Sequence, residues 1–318
     1  MSVMIAVKQL SKHYQPPKGP VAVQEVAFEI AEGELFSLLG PNGSGKTTLI
    51  SMLSCLIAPT GGDAEIAGHS ITRAPTKVKA AIGVVPQEIA LYNGLSAQEN
   101  LGFWAKMYGL YGKKGNEAVK RALELAGMAD HARERVGTFS GGMKRRLNIA
   151  VGLLHTPRVL FMDEPTVGID PQSRRHILDT IKQLNQQGMT ILYTTHYMEE
   201  AEELSHRIGV MDQGRLIAVG SQEALSRQAG DFSTIRITTA KAGDGLEGIR
   251  QSLAEIPDVN KVLVQEDVLV VQARKAEMVL SYVINCLGQA QMPVKQVEIQ
   301  EPNLESLFLS LTGRALRE

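Results

Sequence analysis

The chain has no uninterrupted apolar run near the roughly 18 residues that a membrane-spanning helix needs. Its opening stretch, MSVMIAVKQLSKHY, is too short in its apolar part and too polar afterwards to read as a secretory signal. If the protein works at a membrane, another chain must do the spanning. A surplus of one charge is missing too: 33 Lys and Arg against 34 Asp and Glu give a formal net charge of -1. That balance removes the global electrostatic case for nucleic acid or an acidic membrane surface. The two cysteines, Cys55 and Cys286, are too far apart in sequence to suggest a metal site or a disulfide framework. A reducing cytosol fits such a chain. No internal repeat and no low-complexity segment is visible.

What is present is ordinary globular material. The 318 residues are 44% hydrophobic and 21% charged, enough for one large domain or two smaller ones. VAVQEVAFEI alternates as a strand does, and GELFSLLG is a short apolar run of the buried-strand kind. KTTLISMLSCLI follows with helical spacing, and AAIGVVPQE ends another strand. From SAQENLGFWAKMYGL to AVKRALELAGM the pattern is helical and charged, broken by YGKKGN. RVLFMDEP and MTILYTTH read as buried strands. Between them lies the amphipathic helix PQSRRHILDTIKQLNQQG, with Gly188 as its stop. A helix at MEEAEELSHR and a hairpin at IGVMDQGRLIAVG complete the series. Such alternation predicts a parallel sheet covered on both faces, within a first domain over 1–228. The helical stretch at about 88–140 should stand off as a subdomain.

The remainder, 229–318, reads strand-helix-strand-strand-helix-strand, the order of a ferredoxin-like split unit. A last helix, NLESLFLSLTG, places Leu304, Leu307, Phe308 and Leu311 on one face. This α+β unit reads as a packing or dimerisation module, with a regulatory ligand site as the other option.

Two stretches carry chemistry. GPNGSGKTT, from Gly40 through Pro41, Asn42, Gly43, Ser44, Gly45, Lys46 and Thr47 to Thr48, fits G-x-x-x-x-G-K-[ST] between a strand and a helix. Its glycines let backbone N–H groups curl around phosphate oxygens. Lys46 brings a mobile positive charge to the outer phosphates, and the Thr47 hydroxyl is placed for Mg2+. VLFMDEP then delivers Asp163 and Glu164 at a strand's C-terminal end, where open α/β sheets bind ligands. Asp163 would serve the Mg2+ shell, and Glu164 would orient or deprotonate the attacking water.

TFSGGMKRRLNIA poses a question, because it offers a second phosphate-facing helix head. Ser140, Gly141 and Gly142 precede a helix with Lys144, Arg145 and Arg146 in its first turns. With SGG lying between the Lys46 loop and the Asp163 strand, the chain resembles the nucleotide-binding subunit of an ATP-binding cassette (ABC) transporter. FSGGMKRRL is similar to that family's signature motif, usually Leu-Ser-Gly-Gly-Gln, with Met143 in place of the Gln. The resemblance covers roughly residues 3 to 225.

The resemblance implies a P-loop NTPase fold of the ABC ATPase kind, with ATP and Mg2+ as cofactors. It also implies why there are two helix heads. Two subunits pack head to tail, and the Ser140 helix of one faces the γ-phosphate held by the Lys46 loop of the other. Gln87 resembles the Q-loop glutamine that touches Mg2+ or water, His196 the switch histidine that bonds the γ-phosphate and Glu164, and Asp170 the D-loop aspartate. Around Asp170 the family often has Ser-Ala-Leu-Asp, where this chain has Val167-Gly168-Ile169-Asp170. Tyr14 stands where the family stacks an aromatic on adenine, and a packed edge-strand tyrosine is the alternative.

GID, ENLGFWAKMYGL, SGGMKRRLNIA and LESLFLSLTG resemble the daunorubicin-resistance-like, ABC-2 branch of exporters. The expected protein is therefore an ATP-hydrolysing motor on the cytoplasmic face of the inner membrane. It would pair with a second copy or a homologous ATPase and drive a separate polytopic transmembrane permease, with no nucleic-acid partner. The alternatives are a soluble ABC ATPase acting on the ribosome or nucleic acid, and an ABC importer subunit. A P-loop kinase or GTPase is disfavoured by the signature stretch together with Gln87 and His196.

Overall fold

The computed structural model describes residues 2–15, 19–228, 232–240, 245–256, 258–265, 267–301 and 304–312. Its contacts divide the chain into two units, 1–219 and 220–318. The first begins with β1 (Val3–His13), β2 (Val21–Ala31), β3 (Leu35–Leu39), α1 (Lys46–Leu53), β4 (Gly61–Ile66) and β5 (His69–Ser70). It continues with α2 (Pro75–Ala81), β6 (Ile82–Val85), α3 (Ala97–Met107), α4 (Gly112–Leu125) and α5 (Gly141–Leu153). It ends with β7 (Val159–Asp163), α6 (Pro171–Gln186), β8 (Thr190–Thr195), α7 (Met198–Leu204), β9 (Arg207–Asp212) and β10 (Arg215–Gly220).

The apolar runs become the central strands. β3, β7 and β8 are buried at every position, as a sheet covered on both faces demands. They lie in a six-stranded sheet of order β10-β9-β3-β8-β7-β6, whose β3–β8, β3–β9, β6–β7 and β7–β8 pairs are parallel. Register sets up the site. Leu39 pairs with Thr195, and Asp163 pairs with Thr194. The three strands therefore end side by side, and Gly40, Glu164 and His196 emerge together.

A second sheet, antiparallel and ordered β2-β1-β4-β5, was not part of the expectation of one parallel sheet. Its β2 shows the alternation that a one-faced sheet needs: Val23, Val26, Phe28 and Ile30 point into the core. The Phe28 and Phe36 rings stack at 5.1 Å and join this sheet to β3. β4 and β5 carried no readable signal, since β4 buries only Ala64 and Ile66 and β5 has two residues.

The helical subdomain forms its own core from Leu101, Ala118, Ala122, Leu123, Leu147 and Leu154 among others. α3 starts at a capping box: the Ser96 hydroxyl accepts from the Glu99 N–H, and the Glu99 carboxylate accepts from the Ser96 N–H. The expected break at YGKKGN is shorter than its composition suggests, because α4 already begins at Gly112. A side chain at Gly115 would press on the Leu110 carbonyl, so glycine there permits the tight entry.

The second unit holds α8 (Gln222–Gln228), β11 (Ser233–Thr239), α9 (Gly245–Ala254), β12 (Val259–Gln265) and β13 (Val268–Ala273). α10 (Ala276–Gln289), β14 (Val294–Gln300) and α11 (Leu304–Thr312) complete it. The division at Val219/Gly220 places α8 here, ahead of the boundary expected at residue 228. Its sheet is antiparallel with order β12-β13-β11-β14. Ile235, Ile237, Leu269 and Val271 meet Val279, Val283 and Leu287 of α10 in its core. On α11, Leu304, Leu307 and Phe308 are buried as their spacing predicts. Leu311 in the last turn is half exposed, and Leu309 is buried instead. That helix is also tied by polar contacts: Gln272 donates to the Ser306 carbonyl and Lys261 to the Leu309 carbonyl. Arg236 pairs with Glu305.

Candidate active site

β3 runs straight into the glycine loop. Gly45 caps α1 with φ of 105°, and Gly43 has φ of 79°, both in the left-handed region that glycine tolerates. A Cβ on Gly45 would lie 2.5 Å from the Ala22 carbonyl oxygen, whereas one on Gly43 would meet nothing within 4 Å. Close packing thus fixes one glycine, while the other keeps backbone open to an approaching group. The α1 head has no side-chain cap and no acid in its first turn. Its N–H groups and dipole are left to attract an anion. The Ser44 hydroxyl is buried without a hydrogen-bond partner. A phosphate oxygen is the acceptor that this cradle fits.

Lys46 is buried, 4% exposed, and its ammonium donates to the carbonyls of Gly40 at 2.7 Å and Pro41 at 3.0 Å. It also lies 3.1 Å from a Glu164 carboxylate oxygen. The other Glu164 oxygen meets His196 Nδ1 at 3.1 Å. Lys46, Glu164 and His196 therefore form one line of charged and polar groups across the strand ends. Glu164 itself has φ of 44°, a strained conformation for a residue with a side chain. Its N–H is held by Thr194, and the Thr194 hydroxyl donates to Asp163 at 2.7 Å. A cavity of about 380 Å3 lies over this line. Gln87, Thr47 and Thr48 line it with Lys46, Glu164 and His196, and so do Asn42 and Val167. The oxygen donors of Thr47, Gln87 and Asp163 are of the hard type that suits Mg2+.

A carboxylate that the sequence did not flag anchors the back of the site. Glu200 is 1% exposed and accepts from Thr166 Oγ1 and Arg174 Nε at 2.6 Å each. It also accepts from the Tyr193 hydroxyl and Thr195 Oγ1 at 2.7 Å each. Burial, reinforced by this charge, pushes the Tyr193 phenol well above its ordinary pKa. Thr195 and Thr166 flank His196 and Glu164, so Glu200 ties the two chain segments that carry them. One signal was available: Glu200 stands four residues before Leu204, on the buried face of α7.

The second helix head stands apart from the cavity. Ser140 caps α5, its hydroxyl accepting from the Met143 N–H at 3.2 Å, with no acid in the first turn. Asp170 caps α6 by accepting from the Ser173 N–H at 2.9 Å, a bond that holds its carboxyl below the ordinary range. Gly142 packs against Ser173 and thereby joins the two heads. Two of the three basic residues are engaged by backbone carbonyls and not poised as a phosphate clamp. Arg145 is buried and donates to the carbonyls of Pro86 and Gln87, and Arg146 donates to that of Gly127. Tyr14 is 38% exposed with the Lys12 ammonium 5.3 Å from its ring centre, and it does not line the cavity.

The family model for "ABC transporter" matches residues 23–167. The linearmycin resistance ATP-binding protein of Bacillus subtilis is 45% identical over 93% of this chain and 95% of its own length. The Nod factor export ATP-binding protein I of Paraburkholderia xenovorans is 36% identical over 93% of each. Among solved structures, a dimeric ATP-binding cassette in a post-hydrolysis state, bound to ADP and Pi, aligns with a TM-score of 0.62 and 28% identity. It covers 69% of this chain and 98% of that one.

Proposed function

Since the chain belongs to the ABC transporter family, we propose that it is the ATP-hydrolysing subunit of an ABC-2-type export complex. The observation that carries this is the Lys46–Glu164–His196 line at the mouth of the uncapped α1 head. An anion-binding helix head, a buried cation and a carboxylate held by an imidazole are what phosphoryl transfer to water requires.

In this proposal Lys46 and the loop from Gly40 to Thr48 hold the outer phosphates of ATP. Glu164 accepts the proton of the attacking water, and His196 keeps its carboxylate turned toward the cavity. Thr47, Gln87 and Asp163 would hold Mg2+, which when bound neutralises charge on the phosphate oxygens. Tyr14 would stack on adenine. Ser140, Gly141, Gly142 and Asp170 serve the nucleotide of a second copy, or of a homologous ATPase, packed head to tail. Their separation from the cavity of their own chain supports that arrangement.

Among the described residues no helix is long and apolar enough to cross a membrane. In this proposal the chain lies peripherally on the cytoplasmic face and drives a separate polytopic permease, and the relatives named for drug resistance and Nod factor export support the export role. The second unit is a ferredoxin-like accessory domain in this proposal, supported by its strand–helix order and by the β12-β13-β11-β14 sheet.

The test is to co-express the chain with the product of its neighbouring gene, which this proposal expects to be a polytopic membrane protein. Membranes should retain the chain and hydrolyse Mg-ATP, and Lys46→Ala should abolish hydrolysis without releasing the chain. ATP hydrolysis by a chain that never associates with the permease would transfer it to the soluble ABC ATPases.

A further inference from the structure

Arg145 is 3% exposed, and its guanidinium lies inside the protein. Nη1 donates to the Pro86 carbonyl at 2.7 Å, and Nη2 donates to the Gln87 carbonyl at 2.6 Å. Among the described residues no other hydrogen bond reaches those two oxygens, and Arg145 makes no ion pair. Burying a guanidinium without a carboxylate in ion-pair contact is costly, and burial pushes its pKa down against the opposing field of the Asp163 carboxylate. A well-packed apolar side chain would fill the same space at lower cost. The fork, however, matches two successive carbonyls in a way that an apolar side chain or a single ammonium does not.

Those carbonyls belong to the loop that leaves β6 and brings Gln87 to the 380 Å3 cavity. Arg145 itself stands five residues after Ser140, about 7.5 Å along the same α-helix. One rigid element therefore carries the Ser140 head and grips the backbone of Gln87. We propose that Arg145 is a positioning residue that locks Gln87 to the Ser140 helix and thereby couples the two nucleotide sites of the assembled pair.

The inference rests on the head-to-tail arrangement proposed above. In that arrangement Ser140 of a chain meets the nucleotide held by the second copy, while Gln87 of the same chain faces its own nucleotide. A shift of α5 on docking at Ser140 reaches Gln87 through two charge-assisted hydrogen bonds. Occupancy of one site is then felt at the other, a coupling between sites with an identified connection.

The experiment compares wild type, Arg145→Lys and Arg145→Met in the assembled permease complex, reading ATPase rate against ATP concentration. Wild type should give a Hill coefficient clearly above 1, with about 2 as the ceiling for two sites. Arg145→Met should bring it to about 1 and lower kcat, and Arg145→Lys, which keeps the charge but loses the fork, should fall between them. ATP affinity of the isolated chain, set by the Lys46 loop, should stay near the wild-type value. Should Arg145→Met fold poorly by thermal melting, Arg145→Lys decides alone. A folded Arg145→Lys with wild-type kcat and Hill coefficient overturns the proposal, as does a wild-type coefficient of 1. Failure of the underlying functional proposal looks different: the unmodified complex would then bind or hydrolyse no ATP.

Discussion

Gly142 and Ser173 approach so closely that a Cβ on Gly142 would lie 2.1 Å from the Ser173 hydroxyl oxygen and 2.2 Å from its Cβ. A Cβ on its neighbour Gly141 would meet Ile169 Cδ1 at 3.6 Å, an ordinary contact. The two glycines of SGG thus have different reasons to be glycine. Gly142 lets the α5 head press on the first turn of α6, where Ser173 also donates its N–H to Asp170. The helix head expected to face a phosphate and the loop carrying Asp170 are one packed unit within a single chain.

Gly142→Ala should therefore destabilise the fold by about 1–3 kcal/mol, the usual range for overpacking. Gly141→Ala should cost far less by packing. Adding Ser173→Gly to Gly142→Ala removes both clashing atoms, since the Ser173 Cα stands 3.5 Å off. Urea unfolding of the two single variants and the double variant should show a favourable coupling of about 0.5–3 kcal/mol. Strictly additive losses would show that the contact does not limit Gly142.

The hub at Glu200 makes a second prediction. Glu200→Ala would leave the Arg174 charge and three hydroxyls, those of Thr166, Tyr193 and Thr195, without their acceptor. Breaking a fully buried ion pair from one side costs about 3–5 kcal/mol, and the loss here should be smaller because the Arg174 side chain is 30% exposed. Glu200→Gln keeps one acceptor oxygen and should lose less. Because Thr195 precedes His196 and Thr166 follows Glu164 closely, kcat should fall in folded Glu200→Gln while ATP affinity holds. Stability and turnover that both match wild type would remove Glu200 from this role.

Glu164→Gln should retain Mg-ATP binding, because Lys46, Thr47 and Asp163 are untouched. Hydrolysis should drop by about 10²-fold or more, the scale of a lost general base. The change also removes the carboxylate 3.1 Å from buried Lys46. Among the described residues no other carboxylate pairs with that ammonium, so phosphate would then be its negative partner. The rise in melting temperature on adding ATP should accordingly exceed that of wild type, with ATP-bound dimer accumulating in gel filtration. Wild-type turnover would end the assignment of Glu164 as the base.

Which parts were legible in the sequence follows from how far each signal reaches. Lys46, Glu164 and His196 each follow an apolar run long enough to read as a buried strand, and parallel register then brings the three ends together. Of the β2-β1-β4-β5 sheet, β2 was legible by its alternation, but its partners were not all so, because β4, GGDAEI, is polar and β5 is a fragment. Arg145 looked like part of a basic helix head, since its burial depends on a loop 59 residues earlier in the chain. Leu311 fits the apolar period of α11, yet it is half exposed while Leu309 is buried. Periodicity names a face of a helix, and only tertiary packing decides how far along that face the cover extends.

The last prediction tests whether the two helix heads serve different nucleotides. Ser140→Arg puts bulk and positive charge at the α5 head, while its own Lys46 loop, in a separate cavity, stays intact. The isolated chain should still bind ATP, and dimer closure and hydrolysis should fail. Lys46→Ala fails for the opposite reason, losing its charge-assisted contact to the outer phosphates. In a mixed pair, one composite site combines both defects, and the other joins an intact Lys46 loop to an intact Ser140 head. Mixing two inactive proteins in equal amounts should then recover ATPase activity in the permease complex, about a quarter of the wild-type rate if the sites turn over independently, because about half of the pairs are mixed and each has one good site. The Arg145 link predicts less, because the dead site no longer supports its neighbour. Recovery that is measurable but well below a quarter is therefore the expected result. Normal hydrolysis by Ser140→Arg alone in the assembled complex would mean that the Ser140 head faces no phosphate.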